Sequence, residues 1–92
     1  MNWTVSITPK VSKAIPKLPL RVRILLSALL DEIQNDGPFR GNWTNYGKLS
    51  SSLHHCHIKK GKPTYVAVWE VIDKKIRLVE VNYAGTHEKA PY

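Results

Sequence analysis

The chain of 92 residues is 42% hydrophobic and 23% charged, which supports one core and excludes an intrinsically disordered chain. Fourteen Lys and Arg against seven Asp and Glu give a net charge of +7, a balance that attracts polyanions or acidic surfaces and says nothing about fold. Cys56 has no second cysteine to pair with, so a disulfide framework is excluded, in keeping with a reducing compartment. Residues 1–10 lack the basic start and apolar run of a signal peptide. The apolar stretch 24–30 is far short of the ~20 residues that span a bilayer. The expectation is one domain over residues 1–92, cytoplasmic and without a membrane partner.

Trp3, Val5 and Ile7 alternate with Thr4 and Ser6, the pattern of a half-buried strand. Thr8 followed by Pro9 ends that strand and can cap a short helix over residues 9–15. Pro16 and Pro19 then stop or kink whatever precedes them. From Leu20 the spacing becomes helical, with Val22, Leu25, Leu26, Leu29 and Ile33 on one face. Gly37 can adopt the positive φ of a helix C-terminus and Pro38 follows it, so this helix is predicted over residues 20–35. Residues 39–52 read as a long polar loop anchored by Trp43 and Tyr46, with Lys48 and Leu49 able to reach the strand that follows.

Three strands are predicted next, over residues 53–60, 64–73 and 75–83. They are joined by Gly61-Lys62-Pro63 and by a tight turn at Asp73-Lys74, and form an antiparallel meander. The fold class is α+β: a small antiparallel sheet, made of the N-terminal strand and the meander, with two helices packed on one face.

Alternation along the first meander strand puts His55, His57 and Lys59 on one face and His54, Cys56 and Ile58 on the other. Cys56 and Ile58 are the natural core pair, so the histidines at 55 and 57 are expected away from the helices. On the next strand Tyr65, Ala67, Trp69 and Val71 are expected inward, leaving Val66, Val68 and Glu70 beside the histidines. Three chemistries suit such a face. Imidazoles with an ordinary pKa near ~6.5 can accept and donate protons at neutral pH, and lysines can neutralise a phosphate. The same face can also simply be a positive surface. A zinc site would draw on His55, His57 and either His87 or Cys56; against it, Cys56 points to the opposite face, no second Cys/His pair exists, and the lysines repel a dication.

The segment TYVAVWEVIDKKIRLVEVNYAGTHEKAPY, residues 64–92, resembles the RelE/ParE superfamily of bacterial toxins from type II toxin–antitoxin systems. It has an apolar strand ending in an aromatic-x-Val-x-Asp, a tight turn, a second apolar strand, Gly-x-basic and a terminal tyrosine. NYGKLSSSLHHCHIKK is similar to the family's Lys-Leu lead into a basic strand. The RelE branch implies an endoribonuclease that cuts messenger RNA on the ribosome, without a cofactor or metal, and is held in check by a cognate antitoxin protein. The resemblance assigns catalytic roles to His55, His57, His87, Tyr92 and Lys59: one of the first two histidines as base, His87 as acid or phosphate contact, Lys59 as charge stabiliser, and Tyr92 stacking on a base or orienting the phosphate. Lys48, Lys60, Lys62 and Lys89 are the expected RNA-binding cations. One departure stands out. The branch commonly has an arginine just after the aromatic that begins the middle strand, and here Tyr65 is followed by Val66. Loss of such a cation costs ~10²-fold in rate unless another replaces it. The ParE branch, which poisons DNA gyrase, and an RNA- or ribosome-binding module without cleavage are the alternatives.

Overall fold

The structure is a computed structural model and describes residues 2–92. Strand β1 (Thr4–Ile7) leads into helix α1 (Pro9–Ala14), whose first turn is capped by the Thr8 hydroxyl accepting from the Val11 amide. A 3-10 turn, Ile15–Lys17, follows at Pro16, and helix α2 runs from Leu20–Asp36. Its buried stripe is Val22, Leu26, Leu29 and Ile33, the period expected of a helix laid on a sheet. Gly37 ends it with φ +98°, its amide donating to the Ile33 carbonyl. That backbone favours glycine.

Five strands form the sheet, in the order β1-β5-β4-β3-β2. Strand β2 (Gly47–Lys48), β3 (Leu53–Lys59), β4 (Tyr65–Asp73) and β5 (Leu78–Thr86) pair antiparallel in succession. The α+β class is as expected, with two corrections to the sheet. β1 pairs with β5 in parallel, Thr4 opposite Leu78 and Ile7 opposite Val81, so the sheet is mixed rather than antiparallel. The segment expected to be loop contributes a two-residue edge strand, β2, paired to β3.

The last strand also starts later than its apolar pattern implies. The Asp73 carboxylate accepts from the amides of Lys75 and Ile76, and Arg77 takes φ +54°. This side-chain turn absorbs residues 74–77 before pairing resumes at Leu78. Central strand β4 is buried on both faces. Ala67 and Trp69 join the helix stripe in the main core, while Val66 and Val68, also without exposure, lie on the opposite side with His57 and His55. Trp69 donates from Nε1 to the Pro38 carbonyl at 3.0 Å, which ties the end of α2 to the sheet.

Candidate functional site

The face of the sheet away from the helices carries the titratable cluster. His55 and His57 are registered with Val68 and Val66, so all four side chains share this face. After β5 a short 3-10 turn, His87–Lys89, bends the tail back across the sheet. The His87 amide donates to the Thr64 carbonyl and fixes the start of that turn. The His57 and His87 rings lie 5.5 Å apart, edge to face. Tyr92 lies 4.8 Å from the His55 ring and 5.9 Å from His87. His55, His57, His87 and Tyr92 therefore form one contiguous ring cluster.

Its members are not equivalent. His57 and His87 line an open cleft of about 700 Å³ together with Lys62, Pro63, Thr64 and Glu88. His55 does not. A Cβ placed on Gly47 would come within 3.1 Å of His55 Nε2, so glycine there is what admits the ring, and Tyr92 covers it from the other side. Nδ1 of both His55 and His57 is buried and without a hydrogen-bond partner. An orphaned acceptor is tolerated better than an orphaned N–H, which favours the tautomer with its proton on Nε2. Burial first, and then the charge of His87, push both rings below the ordinary histidine value; Lys60 and His55 add to the effect at His57. Both are thus neutral bases at pH 7. Burial likewise raises the Tyr92 phenol, which stays protonated.

The lysines divide differently from the strict alternation. A register shift between His57 and Lys59 sets Lys59 opposite Tyr65, which packs against the main core, so Lys59 leaves the histidine face. Lys48 stands opposite His54 on the helix side and lies over the Phe39 ring at 5.4 Å. Lys89 faces a separate hollow beside α1, with Lys10 and Tyr83. Lys62 is the cation that lines the His57–His87 cleft, and Lys60 is near enough for its charge to act on His57. Val66 is fully buried between His57 and Gly85 in the sheet and presents no charge. Among the described residues no group of three His, Cys, Asp or Glu is disposed to hold a metal, and Cys56 is buried on the helix side. No helix of the structure is long and apolar enough to cross a membrane.

Two features of the setting were not legible from spacing. Glu32 Oε1 on α2 gathers three donors, Arg40 Nη1 at 3.0 Å, Asn42 Nδ2 at 2.8 Å and Trp43 Nε1 at 2.9 Å. This clamp holds the loop whose Thr44 carbonyl accepts from the His57 amide at 2.8 Å. On the same strand, His54 is fully buried, stacked on Trp69 at 5.9 Å, with Nδ1 2.7 Å from the Tyr46 hydroxyl. Burial, with a smaller contribution from Lys48, lowers its pKa to about 4. It is a neutral core histidine, not a member of the cluster.

This mixed five-stranded sheet with a helical hairpin on one face is the RelE-like toxin fold. Superposition on solved structures bears this out. A mutant of the E. coli toxin RelE in the free state matches 96% of this chain and 86% of its own, at 22% identity and a TM-score of 0.72. YoeB from Staphylococcus aureus, a dimer, matches 95% and 99% at 15% identity and 0.71. RelE from Pyrococcus horikoshii, solved in complex with RelB, matches 98% and 100% at 15% identity and 0.68. No family model and no curated protein sequence matches the chain.

Proposed function

We propose that this protein is the toxin of a type II toxin–antitoxin pair and an endoribonuclease acting on messenger RNA, with the ribosome as its place of action in the cytoplasm and an antitoxin protein as its cognate partner. The observation that carries the reading is the His57–His87 pair, 5.5 Å apart on the wall of an open cleft that also holds Lys62. Several similar structures are toxin–antitoxin complexes, RelE with RelB and YoeB with YefM, which supports the partner.

The chemistry needs no cofactor. Neutral His57 takes the proton of a ribose 2′-hydroxyl, and the oxygen attacks the adjacent phosphorus. The bond from phosphorus to the 5′ oxygen breaks, and His87 in its protonated form supplies the proton that oxygen needs. The products are a 2′,3′-cyclic phosphate and a 5′-hydroxyl. Lys62, with Lys60, offsets the charge that builds on the phosphoryl oxygens, the role an arginine at position 66 would otherwise fill. His55 and Tyr92 act behind this pair, packing the wall against which it is held; of the two, Tyr92 is the ring available to stack on a base.

Expression of His57→Ala and His87→Ala variants tests the proposal. Both are expected to abolish growth arrest and messenger cleavage while remaining folded. Full toxicity of both variants, or toxicity that tracks gyrase-linked DNA damage, would overturn it. The buried, uncharged Val66 favours a second reading, RNA binding without cleavage. That reading predicts ribosome association with intact message.

A further inference from the structure

A second concavity lies on the helix side of the sheet, across β3 from the His57–His87 cleft. It encloses about 470 Å³ between the end of α2 and the start of the β4–β5 turn. Trp3, Pro38, Phe39 and Val71 make its walls apolar, and Lys48, Lys74 and Arg77 stand around it with Asp36 as the sole carboxylate. The fold itself does not call for this arrangement. Phe39 is 62% exposed, although a large aromatic ring at a loop would ordinarily be folded under. Lys48 and Lys74 are exposed and have no carboxylate partner among the described residues, where the ion pair formed is Arg40 with Glu32.

The interior is rigid where the rim is open. His54 forms part of the wall, locked by Tyr46 at Nδ1, by stacking on Trp69 and by the edge of Phe39 at 5.2 Å. As the phenol is the better donor, Nδ1 accepts and Nε2–H is the ring's remaining donor. An aromatic, desolvated centre ringed by cations has the anatomy of a protein-docking hot spot. Its charge excess selects carboxylates. Two observations weigh against a nucleic acid here: Asp36 would meet a phosphate with like charge, and the groove lies on the opposite sheet face from the cleft proposed for RNA.

We propose that this groove docks an acidic segment of a partner polypeptide, seating one apolar side chain between Trp3 and Phe39 and its carboxylates on Lys48, Lys74 and Arg77. Asp36 is placed to accept from a backbone N–H of that segment. The site is independent of RNA cleavage and stands whether or not the histidine pair is catalytic.

The test uses the isotope-labelled full chain and three probes: a blocked hexapeptide with one leucine among glutamates, the same peptide with glutamines, and a hexauridylate. The acidic peptide is expected to shift the resonances of Trp3, Phe39, Lys48 and Lys74, to weaken with added salt, and to bind roughly tenfold less well to a Lys48→Glu/Lys74→Glu variant. The glutamine peptide is expected to leave those resonances in place. Both lysines are exposed, so the variant keeps its fold, which circular dichroism verifies. Shifts confined to other surfaces, equal binding of the glutamine peptide, preferential binding of hexauridylate in the groove, or occlusion of the groove by a second copy of the chain would each overturn the proposal.

Discussion

Removing the Glu32 carboxylate is expected to destabilise the protein more than an ordinary surface substitution on α2. Its Oε1 accepts from Asn42, Trp43 and Arg40 at 2.8–3.0 Å, and those three residues span the first part of the loop that leads to β2. A hydrogen bond to a charged group contributes ~1.5–3 kcal/mol when shielded, and an exposed ion pair ~0–1 kcal/mol. The Glu32 side chain is 34% exposed and the bond to Asn42 is at the surface, so the lower values apply. Glu32→Ala should therefore cost ~2 kcal/mol, or a Tm lower by roughly 10 °C. Glu32→Gln keeps an acceptor oxygen and should lose about half of that. Equilibrium urea unfolding followed by tryptophan fluorescence measures both. The hydrogen bonds from Asn42 and Trp43, then the pull of Arg40, hold the Glu32 pKa below 4.5 against the opposing effect of burial. The stabilisation is thus fully present above pH 4.5 and is lost as pH falls through the lower folded value. A cost below ~0.5 kcal/mol for Glu32→Ala at pH 7 would refute the clamp. So would a cost that persists unchanged in strong acid.

Other consequences follow from the same contacts. His54, with its pKa lowered from 6.5 to about 4, must be protonated on acid unfolding. Stability should decline by on the order of 3 kcal/mol as pH falls from 6.5 toward 4, and a His54 ring titrating near 6.5 by NMR would contradict this. Trp69→Phe removes the donor to the Pro38 carbonyl and part of a fully buried ring; a loss of ~2–4 kcal/mol in urea unfolding is expected. Lys62→Ala should slow RNA cleavage by ~10²-fold with little effect on unfolding, and an unchanged rate would remove Lys62 from the proposed chemistry. The ascending limb of the cleavage pH–rate profile should lie below the ordinary histidine value, following the lowered His57. A limb centred above it would point to a different base.

Much of the fold can be read from periodicity because its elements bury one stripe or one face. The α2 stripe, its stop at Gly37, and the inward set Tyr65, Ala67, Trp69 and Val71 are all of this kind. The parallel pairing of β1 is not. Trp3, Val5 and Ile7 alternate identically whichever way the neighbouring strand runs, and the direction is set by the path through α1 and α2. Strand β2 is too short to show a period, and its presence depends on Gly47 leaving room for His55. Lys59 shows the limit of alternation most plainly, because one inserted residue in β3 moves it to the other face. Gathering of His55, His57, His87 and Tyr92 was expected from the family resemblance, and the tail does bend to bring these rings together. The inequality between His55 and His57 was not legible, since it depends on which ring meets Gly47 and which meets the cleft. Glu32 gave no signal at all, as its three donors converge only after the loop has folded.

The central claim is that His57 and His87 act as a proton-transfer pair on RNA. It is tested most directly by single-turnover cleavage of a messenger on programmed ribosomes, with the product ends identified chemically, for the native chain and for His57→Ala and His87→Ala. The account predicts 2′,3′-cyclic phosphate and 5′-hydroxyl ends from the native protein and a rate loss of ~10²–10⁴-fold in each variant, both still folded. Undiminished cleavage by either variant, or products ending in a 3′-hydroxyl, would contradict it.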